Sequence, residues 1–82
     1  PAFGQLVEDA IWYDKIVDDI KHINAKVIRV EIEANSKDLN NIIGHKKENI
    51  NKLKDTYAVI TIVKCNNKIK PGKFKINVLE TA

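Results

Sequence analysis

Cys65 is the only cysteine among 82 residues, so no disulfide can form within the chain. The expectation is a reducing, cytoplasmic setting. No apolar run approaches the roughly 20 residues that a membrane-spanning helix needs, so no membrane association is expected. Glu8 and Asp9 arrive early, and no basic segment precedes an apolar one, so the start does not read as a secretory signal. Glycine is scarce, at three residues, and no lysine is followed by serine or threonine, which excludes a phosphate-binding P-loop. Ser36 is the one serine, and His22 and His45 fall in different segments without ligand-like spacing to each other or to Cys65. Nothing pairs a nucleophile with a base or gathers metal ligands, so the reading is a non-enzyme with no catalytic residues, metal or cofactor. The five aromatics are also too dispersed for a stacking platform. Phe3, Trp12 and Tyr13 belong to the first helical segment, Tyr57 follows another and Phe74 lies in the last strand, where packing is the expected role.

What remains is ordinary for a folded chain: 44% hydrophobic and 30% charged residues, with no internal repeat, linker or low-complexity tract. The length suits one domain, 1–82. Because the chain opens on Pro1 rather than methionine, it is expected to be processed or, more simply, cut from a longer protein. The net charge of +3 conceals an asymmetry. Residues 1–40 carry five basic against eight acidic side chains, a net −3, whereas residues 41–75 carry nine against two, a net +7. A basic half favours a polyanionic partner, although a solvated lysine-rich surface has the same composition.

Apolar residues recur at three- and four-residue steps from Phe3 to Ile20, with Glu8, Asp9, Asp14, Asp18 and Asp19 assigned to the wet side. This predicts an amphipathic helix over about 4–22, ended near Asn24. From Lys26 to Ala34 the pattern alternates, with Ile28, Val30, Ile32 and Ala34 on one face of a strand. Asn35 or Ser36 is placed to cap a short helix carrying Leu39, Ile42 and Ile43, which Gly44 ends. A second short helix runs from Lys47 to Lys54, on Ile50 and Leu53. Residues 58–65 are rich in β-branched side chains and read as a strand. The segment NNKIKPGK is a turn, and Phe74, Ile76 and Val78 mark a last strand. The predicted fold is α+β in the order α-β-α-α-β-β, a three-stranded sheet with three helices packed on one face.

The chemistry concentrates at Gly44. A glycine joint between two short helices aims the N-terminus of the second into the loop, where free N–H groups and the helix dipole attract phosphate. His45, Lys46 and Lys47 add side-chain charge there. Ile42 and Ile43, with Ile60 or Ile62 from the next strand, are placed to form an apolar groove alongside, a combination suited to single-stranded nucleic acid. On the residues alone, a joint with a solvated basic tip fits as well.

The run IIGHKKENINKL, residues 42–53, resembles the core of the KH (K-homology) family, whose pattern is an apolar pair, Gly-x-x-Gly, then x-x-Ile-x-x-apolar. Thr56 to Ile62 resembles the helix end and following strand of that family, and Ile28 to Ile32 its first strand, so the likeness covers about residues 26–79. It implies a KH-like domain that binds single-stranded RNA, or less favourably DNA, by clamping a few backbone phosphates at the glycine loop. Carried onto this chain, the implied binding residues are Ile43, Gly44, His45, Lys46, Lys47, Lys52 and Ile60. Lys68, Lys70 and Lys73 form a secondary basic loop before the last strand. The chain departs from the pattern where Lys47 replaces the second glycine and Glu48 follows it, and its long helix precedes the first strand. Those departures support a second reading, a degenerate KH fold without nucleic-acid binding that meets a protein partner or neighbouring domain through its N-terminal helix.

Overall fold

The strand β1 (Val27–Ala34) is bonded on both sides. It pairs in parallel with β2 (Ile60–Cys65) and antiparallel with β3 (Phe74–Thr81), so the sheet runs β2-β1-β3. The computed structural model describes residues 3–82; Pro1, on which the chain opens, and Ala2 lie outside that range. Parallel neighbours cannot be joined by a tight hairpin, so the chain between β1 and β2 must cross over the sheet. Residues 35–59 make this crossover. They carry α2 (Leu39–Ile43), a 3-10 turn (His45–Lys47) and α3 (Glu48–Tyr57), while α1 (Phe3–Lys21) precedes β1. The architecture is α+β around a mixed three-stranded sheet, in the order predicted. Two helices are substantial, α1 with 19 residues and α3 with 10, whereas α2 is a five-residue turn.

Alternation along β1 places Val30, Ile32 and Ala34 in the core and turns Arg29, Glu31 and Glu33 to the other face of the sheet. The pattern breaks at the start of the strand. Val27 faces Thr81, Arg29 faces Glu80 and Val30 faces Val78, a pair of irregularities that shifts the phase. Val27 is therefore buried in place of Ile28, which the uninterrupted alternation assigns to the core. Opposite these strand residues pack Trp12, Ile16 and Val17 of α1, Ile42 of α2, Leu53 of α3 and Val59. The Trp12 ring meets Phe74 edge-on, with centroids 5.7 Å apart.

The buried edge of α1 matches the predicted one in its second half, where Ile16 and Val17 are buried and Tyr13 and Ile20 pack against the core, and departs from it in the first. It consists of Asp9, Trp12, Ile16 and Val17, while Phe3 is 80% exposed and Leu6, Val7 and Ile11 are also exposed. Asp9, assigned to the wet side, is 4% exposed. A carboxylate displaces aliphatic residues from an interface only if its oxygens are hydrogen-bonded there, and those bonds are described below. No helix among the described residues is long and apolar enough to cross a membrane.

The connection from β1 to α2 is held differently from the predicted cap. Neither Asn35 nor Ser36 caps α2, which begins after Asp38 without a side-chain cap. Asn35 instead closes its own turn, accepting the Lys37 N–H at 3.0 Å, and its amide donates to the Ile69 carbonyl at 3.1 Å. The Gly72 N–H donates to the Asp38 carboxylate at 2.8 Å. These bonds fasten the loop 66–73 to the start of the crossover. On the open sheet face, the Asn77 amide donates to Glu33 at 2.6 Å and the Asn66 amide donates to the same carboxylate at 3.2 Å; together they hold its pKa below the ordinary value.

The end of α3 shows how the second half of the crossover turns into β2. The Val59 N–H reaches the Leu53 carbonyl at 3.2 Å and the Ala58 N–H the Lys54 carbonyl at 3.0 Å, with Ala58 left-handed at φ 55°. Glycine adopts this conformation without the Cβ conflict that alanine meets. Ala58→Gly is therefore expected to raise unfolding stability by about 0.5–1 kcal/mol, as measured by urea denaturation.

Candidate nucleic-acid interface

Gly44 makes the turn that the sequence pattern points to. Its backbone lies at φ 83°, ψ 160°, a region open only to glycine, and it is buried. A Cβ placed there would lie 2.8 Å from the backbone nitrogen of Asn49. The next three residues form the 3-10 turn, in which Lys46 (φ 54°, ψ 33°) and Lys47 (φ 61°, ψ 27°) are both left-handed. Each costs about 1–2 kcal/mol relative to ordinary helical geometry, so the surroundings must fix the turn.

Asp9 supplies much of that constraint. Its carboxylate accepts the Asn41 amide at 3.0 Å on one oxygen and the His45 N–H at 3.0 Å on the other. Its carbonyl accepts the Asn49 amide at 2.8 Å, and the same amide reaches the Asn41 carbonyl at 3.0 Å. Asn49 is buried, so this polar cluster is a satisfied interior network joining α1 to both sides of the loop. Neither Asp9 nor the two asparagines were prominent in the sequence. The available signal was spacing: Asp9 falls three and seven residues before Trp12 and Ile16, in line with the buried edge.

The loop amides are largely committed. The His45 N–H goes to Asp9, the Lys47 N–H to the Gly44 carbonyl at 3.0 Å, and the Glu48 N–H to the His45 carbonyl. The predicted cradle of free backbone donors is thus mostly occupied, and cationic side chains supply most of what the loop presents. They divide between two flanks of α3. On one flank, Lys47 lines a groove of about 250 Å³ with Ile43, Ile50, Thr61 and Val63. On the other, His45, Lys46 and Lys52 border an open depression of about 430 Å³ together with Glu48 and Asp55.

Of the residues assigned from sequence, Ile43, Gly44 and Lys47 meet at the turn and groove. Ile60 does not. It pairs with Arg29 on the open face of the sheet, as Ile62 pairs with Glu31, and both are exposed. Thr61 and Val63 occupy the groove wall instead, since the two-residue period of β2 runs from buried Val59. Lys52 faces the opposite flank, 3.3 Å from Glu48 and over the Tyr13 ring at 5.4 Å. Lys68, Lys70 and Lys73 lie on the loop 66–73 and line neither depression. His22 lies outside the site; the Asp18 carbonyl, 2.6 Å from its Nδ1, and the Asp18 carboxylate raise its pKa. Among the described residues, no group of three or more potential metal ligands comes together.

Three substitutions separate the parts of this geometry. Gly44→Ala forces both the backbone and Asn49 and is expected to cost at least about 2 kcal/mol. Lys47→Gly removes left-handed strain and is expected to be neutral or stabilising by up to about 1 kcal/mol. Asp9→Asn turns one acceptor into a donor against His45 or Asn41 and is expected to cost roughly 2 kcal/mol. Chemical denaturation measures all three, and a stabilised Gly44→Ala protein would contradict the assigned turn.

Comparison with known proteins finds no matching family model, curated protein or solved structure, so the reading of the site rests on its own geometry.

Proposed function

We propose that the domain is KH-like and binds single-stranded nucleic acid, RNA in preference to DNA, at the Gly44–Lys47 turn and the adjoining groove. The observation that carries this reading is the juxtaposition of a cationic turn with an aliphatic groove lined by Ile43, Ile50 and Val63. Single strands present charged phosphates and unstacked bases side by side, and each needs its own kind of surface. Lys47 provides charge at the groove and Lys46 at the tip. The +7 of residues 41–75 adds attraction at longer range. With few contacts, affinity is low and strongly salt-dependent.

A second reading, a protein-association domain, has its own support. On α1, Trp12 and Ile16 are buried and Tyr13 packs against the core, but Phe3, Leu6, Val7 and Ile11 leave an exposed apolar stretch on the first half of the helix.

Titration of isotopically labelled protein with short RNA and DNA oligonucleotides tests the first reading. Resonances of residues 43–50 are expected to shift. If two lysines neutralise phosphates, affinity falls about sevenfold between roughly 50 and 200 mM salt, from a slope of about 0.7 per contact. Reversing Lys46 and Lys47 to glutamate should abolish binding and leave the fold intact. No shift near 43–50 at low salt rules out nucleic-acid binding, and self-association suppressed by Val7→Glu would favour the second reading.

A further inference from the structure

Thr61 is anomalous within the groove. It belongs to the helix-facing row of β2 with Val63, next to buried Val59, and it is 9% exposed. Its Oγ1 is buried and has no hydrogen-bond partner among the described residues. Valine has nearly the same shape and suits that environment better, so the hydroxyl is a local loss for the folded domain. Departures of this kind concentrate where a protein binds something. The residue is also part of the groove lining, which it shares with Lys47 and the aliphatic side chains of Ile43, Ile50 and Val63. Rotation about χ1 carries Oγ1 from one staggered position to another, so it can turn toward the groove without backbone movement.

We propose that Thr61 is a specificity-determining residue that reads the polar edge of one nucleobase held in this groove; the inference rests on the nucleic-acid reading given above. The space, about 250 Å³, is smaller than the roughly 300–1,000 Å³ of sites for drug-sized ligands, which suits a single base. Ile43, Ile50 and Val63 cover the apolar faces of the base. The Thr61 hydroxyl, able to donate and to accept, takes one hydrogen bond from its edge. Lys47 meets the phosphate attached to the same nucleotide.

The test compares the native chain with Thr61→Val and Thr61→Ser, titrated with tetramers of U, C and A. The native chain is expected to prefer one tetramer. Thr61→Val should bind that tetramer about fivefold more weakly, bind the poorest one unchanged, and melt about 4–8 °C higher because a buried unpaired hydroxyl is gone. Thr61→Ser keeps the hydroxyl and should keep the preference. An unchanged preference in Thr61→Val, or an equal loss on all three tetramers, overturns the role of Thr61 while leaving nucleic-acid binding in place. A native chain that binds none of the tetramers overturns both.

Discussion

The hydrogen bonds of the Asp9 carboxylate govern how the helices meet. α1 contributes no backbone bond to the sheet, so its position depends on side chains: the apolar edge of Trp12, Ile16 and Val17, and Asp9. The apolar contacts supply most of the attraction, but they are non-directional and tolerate rotation of the helix. Asp9 does not tolerate it. Its two carboxylate oxygens meet Asn41 before Gly44 and His45 after it, so the rotation of α1 and the shape of the loop are fixed together. A buried carboxylate left without these partners would cost several kcal/mol, which makes the arrangement nearly all-or-none. Phe3, Leu6 and Val7 belong to the turns of α1 that precede Asp9, and they are exposed, so the buried edge of the helix begins at this carboxylate.

The loop stores strain that this network holds in place. Two consecutive lysines are left-handed, and the glycine before them has a conformation that no other residue adopts easily. In the family pattern that residues 42–53 resemble, a second glycine stands at position 47, where a left-handed backbone is free of cost. Lysine there keeps the turn and adds a charge, at about 1–2 kcal/mol of strain. With the amides of His45, Lys47 and Glu48 already bonded within the protein, the substitution changes the chemistry on offer. In the proposed reading, the turn holds phosphate through ammonium side chains more than through backbone donors. Such contacts are geometrically loose and easily screened by salt.

The element order, the face of β1 beyond its first residues, and the Gly44 turn were legible in the sequence, because each depends on local periodicity or on one residue's backbone preference. What escaped depended on pairings between distant segments. Periodicity places Tyr13, Ile16, Val17 and Ile20 against the core but not Asp9, which is buried through a bond to His45, 36 residues away. The bulge opposite Glu80 moved Val27 into the core in place of Ile28, and nothing in residues 26–34 announces it. Ile60 was assigned to the groove because it is large and apolar. Strand phase, counted from buried Val59, gives that wall to Thr61 and Val63. Asn35 was read as a helix cap, the common local use of such a residue, but its amide is spent on Ile69, 34 residues on.

The position of Glu48 argues for one flank of α3 over the other. A carboxylate next to the turn opposes phosphate binding on its own side, and it shares the larger depression with Asp55. Its oxygen lies 3.3 Å from Lys52, with both side chains about half exposed, so the pair is worth under about 1 kcal/mol but brings a cation to the acidic position. At the first turn of α3, Glu48 also opposes the positive end of the helix dipole. The larger depression therefore carries two carboxylates against two lysines and a histidine, close to balance. The smaller groove holds Lys47 with no carboxylate in its lining. An anionic strand gains more from the flank where its charge is met and unopposed, and that flank also has the aliphatic wall its bases require. The same residue that weakens one side of the loop leaves the β2 side as the better path for the strand.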